Sequence, residues 1–118
     1  MAAGDVVLLA NVDIGGGLRL LTGTVTLDGG NPTPVQLSSY ISAVQVGQAT
    51  IQGSTATGAD PNQVSAVANG TALDVYAWKV TTGGAAGNPT EVASTDNARL
   101  VNWLVIGIDI ARKGMLAR

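Results

Sequence analysis

The chain of 118 residues contains no cysteine, no histidine and no phenylalanine. Without histidine and cysteine there is no imidazole base, no thiolate nucleophile, no disulfide framework and no zinc site of the usual nitrogen and sulfur type. The eight acidic residues are scattered among strand ends and turns, with no spacing typical of an acid–base pair or an EF-hand loop. We therefore expect no enzymatic activity, no cofactor and no metal site, with calcium held by loop carboxylates as the alternative.

Charge is also scarce, since only 12% of the residues are charged and the formal net charge is −2. Such a chain has no general positive field that would attract nucleic acid or an anionic membrane, and we expect neither as a partner. Three of the six basic residues, Arg112, Lys113 and Arg118, lie within the last seven positions. The body of the chain is therefore acidic and its end is basic.

Long hydrophobic runs are missing as well. The apolar run from Val6 to Ala10 is too short for a signal-peptide core or a membrane span, so we expect a protein made in the cytoplasm and not secreted by that route. The absence of cysteine fits a reducing cytosol and equally fits a particle that must later survive outside a cell.

What the sequence does contain is short β-branched runs separated by Gly, Asn, Asp and Pro, which are typical of an all-β domain. We predict a single antiparallel β-sandwich or jelly roll of about seven or eight strands over residues 1–110, followed by a basic arm, residues 111–118. Seven strands are predicted, at Asp5–Asp13, Leu18–Leu27, Thr33–Leu37, Ile41–Gln52, Gln63–Ala68, Ala72–Thr81 and Leu100–Ile108.

Two glycine-containing segments predict turns. Asn69 and Gly70 tolerate the positive φ that a type I′ hairpin requires, which predicts a hairpin between the fifth and sixth strands. The run Gly15–Gly17 lacks the spacing of a phosphate-binding loop, so a tight turn or a mobile loop is expected there.

The last predicted strand is apolar on both faces. Val101, Trp103 and Val105 alternate with Leu104, Ile106 and other apolar residues, whereas a sandwich strand usually has one wet face. Two interpretations stay open: its outer surface is buried against another chain, or a loop folds over it. The apolar first strand likewise lies either in the middle of a sheet or at an edge that pairs with a neighbouring chain.

These apolar ends, together with the basic arm, predict a partner-binding surface and a homo-oligomer or a large assembly. The arm is either a frayed, solvated end or a segment that docks on an acidic groove. The candidate partner-binding residues are Val6, Leu8, Ile108, Ile110, Arg112, Lys113, Leu116 and Arg118.

Four aromatic residues allow a different interpretation. Tyr40, Tyr76, Trp78 and Trp103 could stack on sugar rings if they are exposed, or supply buried area to the core or a subunit interface if they are not.

Three stretches, Leu73–Thr81, Asn88–Thr95 and Val101–Gly107, resemble small β-rich proteins encoded among the virion genes of tailed bacteriophages. The resemblance implies a capsid decoration or cement protein: a β-sandwich or jelly roll bound in many copies to the outside of the phage head, with the major capsid protein or another virion subunit as its partner. It implies no functional residue, because such proteins act through surfaces. The alternatives are a tail, neck or head-fibre structural protein, or a carbohydrate- or receptor-binding sandwich.

Overall fold

The computed structural model describes residues 3–52, 61, 63–81 and 90–110. This part of the chain is built almost entirely of β-strands, which confirms the predicted all-β class. The strands are β1 (Val6–Gly15), β2 (Leu18–Thr26), β3 (Thr33–Gln36), β4 (Ile41–Ile51), β5 (Gln63–Asn69), β6 (Ala72–Thr81), β7 (Thr90–Ala93) and β8 (Leu100–Asp109).

The strands form two antiparallel sheets, as expected for a sandwich. The first sheet has the order β1-β2-β8-β4, and the second has the order β3-β6-β5, with β7 also paired to β6. Apolar side chains from both sheets meet in one core. Its buried members are Leu21, Val25, Leu27, Val35, Leu37, Ile41, Val44, Leu73, Val75, Ala77, Val101, Trp103 and Val105.

The strand β7 is absent from the sequence prediction. It is four residues long, and its ladder runs from Trp78 paired with Ala93 to Thr81 paired with Thr90. Glu91 and Ala93 are residue types with low strand propensity, and turn-forming residues lie on both sides of the segment. Pairing with β6 creates it, and that partner is visible only in the folded chain.

The predicted hairpin between β5 and β6 is confirmed, but its turn lies one residue later than expected. Asn69 pairs with Ala72, so the two loop residues are Gly70 and Thr71, with Gly70 at a φ of +62°. The tight turn predicted at Gly15–Gly17 is also present, since β1 ends at Gly15 and β2 begins at Leu18.

The strand β1 lies at an edge of the first sheet, paired only with β2 among the described strands. Of the two positions predicted for this apolar strand, the middle of the sheet is therefore wrong for a single chain. The ladder is interrupted twice, between Leu8 and Ala10 and between Asp13 and Gly15. Such irregularities twist an edge and make it a poorer template for another strand.

Candidate functional site

The strand register divides the first sheet into a core side and an outer side. Residues directly opposite each other on paired strands point to the same side, and successive residues alternate. Val101, Trp103 and Val105 of β8 are buried in the core. The even-numbered residues of β8, and the residues paired with them on β2 and β4, therefore point outward.

Rows of residues on the outer side cross the whole sheet. In one row the ladders align Val12 of β1, Leu20 of β2, Ile106 of β8 and Val46 of β4. We call the outer side the uncharged face, because none of its residues carries a charge. In the rows from Leu18 to Thr24 it consists of Val7, Ala10, Val12, Leu18, Leu20, Thr22, Thr24, Ala43, Val46, Gln48, Thr50, Asn102, Leu104, Ile106 and Ile108. The next row, Thr26 and Leu100, is also uncharged, but Thr26 is buried.

Much of the uncharged face is open to solvent. Val12 is 49% exposed and Val46 is 50% exposed, while Leu20, Leu104 and Ile106 are half-buried. Within the described ranges, no loop hides Val12 or Val46. Contiguous apolar patches on a small domain typically mark interaction surfaces.

At the end of the first sheet where these aliphatic residues lie on the outer side, the core side is polar. Arg19 points to the core side, where its Nε and Nη2 donate to Oδ2 of Asp109 at 3.2 and 3.0 Å, and its Nη1 donates to Oδ1 of Asn11 at 2.8 Å. The Asp109 carboxylate is only 11% exposed. A sheet that packs on a core normally places charged groups outward and aliphatic groups inward. Here that arrangement is reversed, because aliphatic side chains occupy the solvent side.

A shallow depression of about 390 Å³ opens beside the aliphatic rows. Leu9, the residue at the first β1 irregularity, lies at its margin and is strongly exposed. The remaining lining comes from β2, β4 and β8, namely Thr22, Gly23, Gln48, Ala49, Thr50, Asn102, Trp103 and Leu104.

The predicted partner-binding residues are divided between different surfaces. Ile108 belongs to the uncharged face, and Ile110 is exposed just beyond it. Val6 and Leu8 pair with Val25 and Gly23 and therefore point to the core side, where Leu8 packs against the core. Arg112, Lys113, Leu116 and Arg118 lie outside the described residues. The partner-binding role of all eight stays a prediction.

Sequence reasoning missed Val12, Leu18, Leu20 and Val46 as parts of one surface. The alternation in β2, where Leu18 and Leu20 precede Thr22 and Thr24, was an available signal for an apolar outer end. The alignment of these residues with Ile106 depends on strand order and register, which the sequence pattern does not contain.

The four aromatic residues have different environments. Trp103 is 2% exposed and belongs to the core, and Tyr40 packs against that core. Tyr76 and Trp78 lie on the outer side of the second sheet, half-buried, with ring centroids 6.3 Å apart and an interplanar angle of 11°. The indole Nε1 of Trp78 donates to Oγ of Ser65 at 3.2 Å.

The described residues give no structural basis for a metal site or a membrane-spanning helix. They contain no group of three or more carboxylates placed to hold a metal ion. They also contain no helix long and apolar enough to cross a membrane. Comparison with protein-family models, curated proteins and solved structures found no match for this chain.

Proposed function

We propose that this chain is a virion structural protein, a decoration or cement protein that binds the outside of a phage head and stabilises the shell. The uncharged face is the observation that carries the proposal. An apolar, charge-free sheet side that the described chain leaves open costs solubility in a free monomer, and that cost disappears when another protein surface covers it.

The function would be mechanical and would need no chemistry. A decoration protein that bridges neighbouring major capsid subunits adds interfaces, and these interfaces must break before the subunits separate. Apolar contacts serve this purpose well, because burial stabilises by about 25 cal/mol for each Å² of apolar surface removed from water. A low-charge sandwich without histidine or cysteine fits a subunit that acts by contact alone.

The proposal predicts that purified particles contain the protein in numbers comparable to the major capsid protein, as measured by quantitative mass spectrometry. Val46→Lys should reduce that number at least tenfold, because it places a charge in an aliphatic row. Val67→Lys is the matched control, since Val67 is a strand valine of similar exposure, 52%, on the outer side of the second sheet.

Each outcome of this experiment has a definite meaning. A few copies per particle would indicate a tail, neck or head-fibre role and would contradict shell decoration. Complete absence from particles would overturn the virion function. Equal loss with Val46→Lys and Val67→Lys would show that the uncharged face has no special role in binding to the particle.

A carbohydrate- or receptor-binding sandwich is the second candidate, and the Tyr76–Trp78 pair favours it. Both rings lie on one solvent side of the second sheet, and the Nε1 donation to Ser65 holds the Trp78 indole in one orientation. The polar residue Asp74 lies on the same side of β6 but is only 8% exposed, and its Oδ2 accepts from Nδ2 of Asn69 at 3.0 Å. Aromatic faces beside hydrogen-bonding groups are suited to sugar rings.

This candidate predicts that soluble oligosaccharides quench the tryptophan emission of the wild-type chain in a saturable manner. Trp78→Phe should abolish the sugar-dependent change, because the remaining Trp103 is enclosed in the core. Emission that no sugar alters across a panel of hexose and amino-sugar oligomers would exclude this second function.

A further inference from the structure

We infer that the uncharged face binds the same face of a second copy of this chain, which gives a two-fold symmetric dimer with the two first sheets packed face to face. The inference names the partner of the surface used in the proposed function. It rests on that proposal only for the idea that the surface works in an assembly.

The size of the face is sufficient for a specific dimer. Neighbouring strands lie about 4.8 Å apart and successive residues rise about 3.3 Å, so four strands over the Leu18–Thr24 stretch span roughly 19 by 23 Å. Because side chains make each face uneven and enlarge its accessible surface, two such faces in contact bury on the order of 1,000 Å² of accessible surface in total. This area is the lower bound for a specific interface. The expected dimer is therefore of moderate affinity.

The distribution of charge favours a second copy over an unrelated partner. In a two-fold contact each residue near the axis meets its own symmetry mate, so a charged residue there faces a like charge. The uncharged face has no such residue, and the chain keeps Arg19 and Asp109 on the opposite side of the same strands. The uncharged face therefore meets its own copy without like-charge repulsion at the axis.

Face packing is favoured over pairing of strand edges. The first sheet has two edge strands among the described strands: β1, whose ladder with β2 shifts at Leu8–Ala10 and at Asp13–Gly15, and β4, whose ladder with β8 shifts at Ile41–Ala43 and at Val44–Val46. An irregular edge of this kind does not present the even row of backbone groups that an added strand needs. The aliphatic side chains of the uncharged face need no such row, because the two sheets of a sandwich pack through side chains at a distance of about 10 Å.

The first test measures the mass of the purified chain in solution, without any particle, by sedimentation velocity between 1 and 200 µM, a range that brackets an interface of this size. We expect a concentration-dependent shift from monomer to dimer. Val46→Lys and Val12→Lys should each weaken dimerisation at least tenfold, and the control Val67→Lys should leave it unchanged. A wild-type chain that stays monomeric at 200 µM, or a control that dissociates as readily as Val46→Lys, would overturn the inference.

The second test uses the absence of cysteine from the chain. Single substitutions Leu20→Cys, Leu104→Cys and Ile106→Cys place one thiol on a central strand of the face, and Val67→Cys places one on the other sheet. Facing sheets lie about 10 Å apart, farther than the roughly 7 Å between Cα atoms that a disulfide tolerates, so the thiols are joined with a bismaleimide reagent whose spacer spans about 10 Å. At least one of the three variants should be cross-linked into a covalent dimer while Val67→Cys is not; failure of all three contradicts the two-fold contact.

The two proposals can fail separately. A monomeric wild-type chain that is still abundant in particles refutes the dimer and leaves the virion function. A dimer that is absent from particles refutes the virion function and leaves the dimer.

Discussion

At the scale of single residues, Trp103 shows how the core of a chain without phenylalanine accommodates a large indole ring. Its side chain is 2% exposed, and its Nε1 has no hydrogen-bond acceptor among the described residues. A buried N–H without a partner lowers stability by about 1–3 kcal/mol relative to a satisfied one. The stabilisation from the volume that the indole fills therefore exceeds the loss from its one unsatisfied donor.

This balance predicts different effects for two substitutions of Trp103. Trp103→Ala should lower the free energy of unfolding by about 3–5 kcal/mol through the cavity it leaves. Trp103→Phe should cost clearly less, because it keeps most of the ring and removes the unpaired donor. Urea denaturation followed by circular dichroism measures both, and a phenylalanine variant as unstable as the alanine variant would show that Nε1 has an acceptor.

At the scale of elements, two glycines of the first sheet allow a neighbouring strand or side chain to approach closely. The alternation of inward and outward residues does not explain why glycine occupies these positions. A Cβ on Gly23 of β2 would meet the carbonyl oxygen of Val7 on β1 and would lie 2.8 Å from Cζ2 of Trp103. A Cβ on Gly47 of β4 would meet the Leu73 side chain of β6. These positions let a neighbouring strand or a large core side chain come close to the first sheet.

Gly23→Ala should consequently destabilise the fold by about 1–3 kcal/mol, the usual cost of overpacking, because a backbone oxygen cannot move aside as a flexible side chain can. Gly30→Ala is the control, since Gly30 is exposed and its added Cβ would be 3.0 Å from the Asp28 carboxylate. Thermal unfolding of both variants measures the difference. Equal melting temperatures would indicate that β1 shifts away at little cost.

Element by element, the local sequence pattern located every described strand but one. All seven predicted strands agree with the observed strands within two residues at each end, because β-branched or aliphatic runs bounded by turn residues are a local signal, and β7 was missed. The turn at Gly70 was displaced by one residue, since Asn69 and Gly70 both tolerate positive φ and only the pairing of Asn69 with Ala72 decides between registers.

At the scale of the whole molecule, the reversed polarity of the first sheet is the property with the widest consequence. The Arg19–Asp109 pair occupies the core side of the sheet end where Leu18, Leu20 and Ile106 occupy the solvent side. A free monomer gains nothing from this arrangement. The proposed virion assembly and the proposed dimer would both remove this aliphatic surface from water.

The sequence by itself determined the all-β class, most of the strands and the presence of apolar residues on both faces of β8, because strand propensity and alternation are local properties. It also excluded histidine and cysteine chemistry. Only the tertiary structure decided that β1 is an edge, that β7 exists, that Trp103 is core while Trp78 faces outward, and that Val12, Leu20, Ile106 and Val46 form one row. These outcomes depend on which strands pair and in what register, and that choice is made by contacts between residues far apart in the chain.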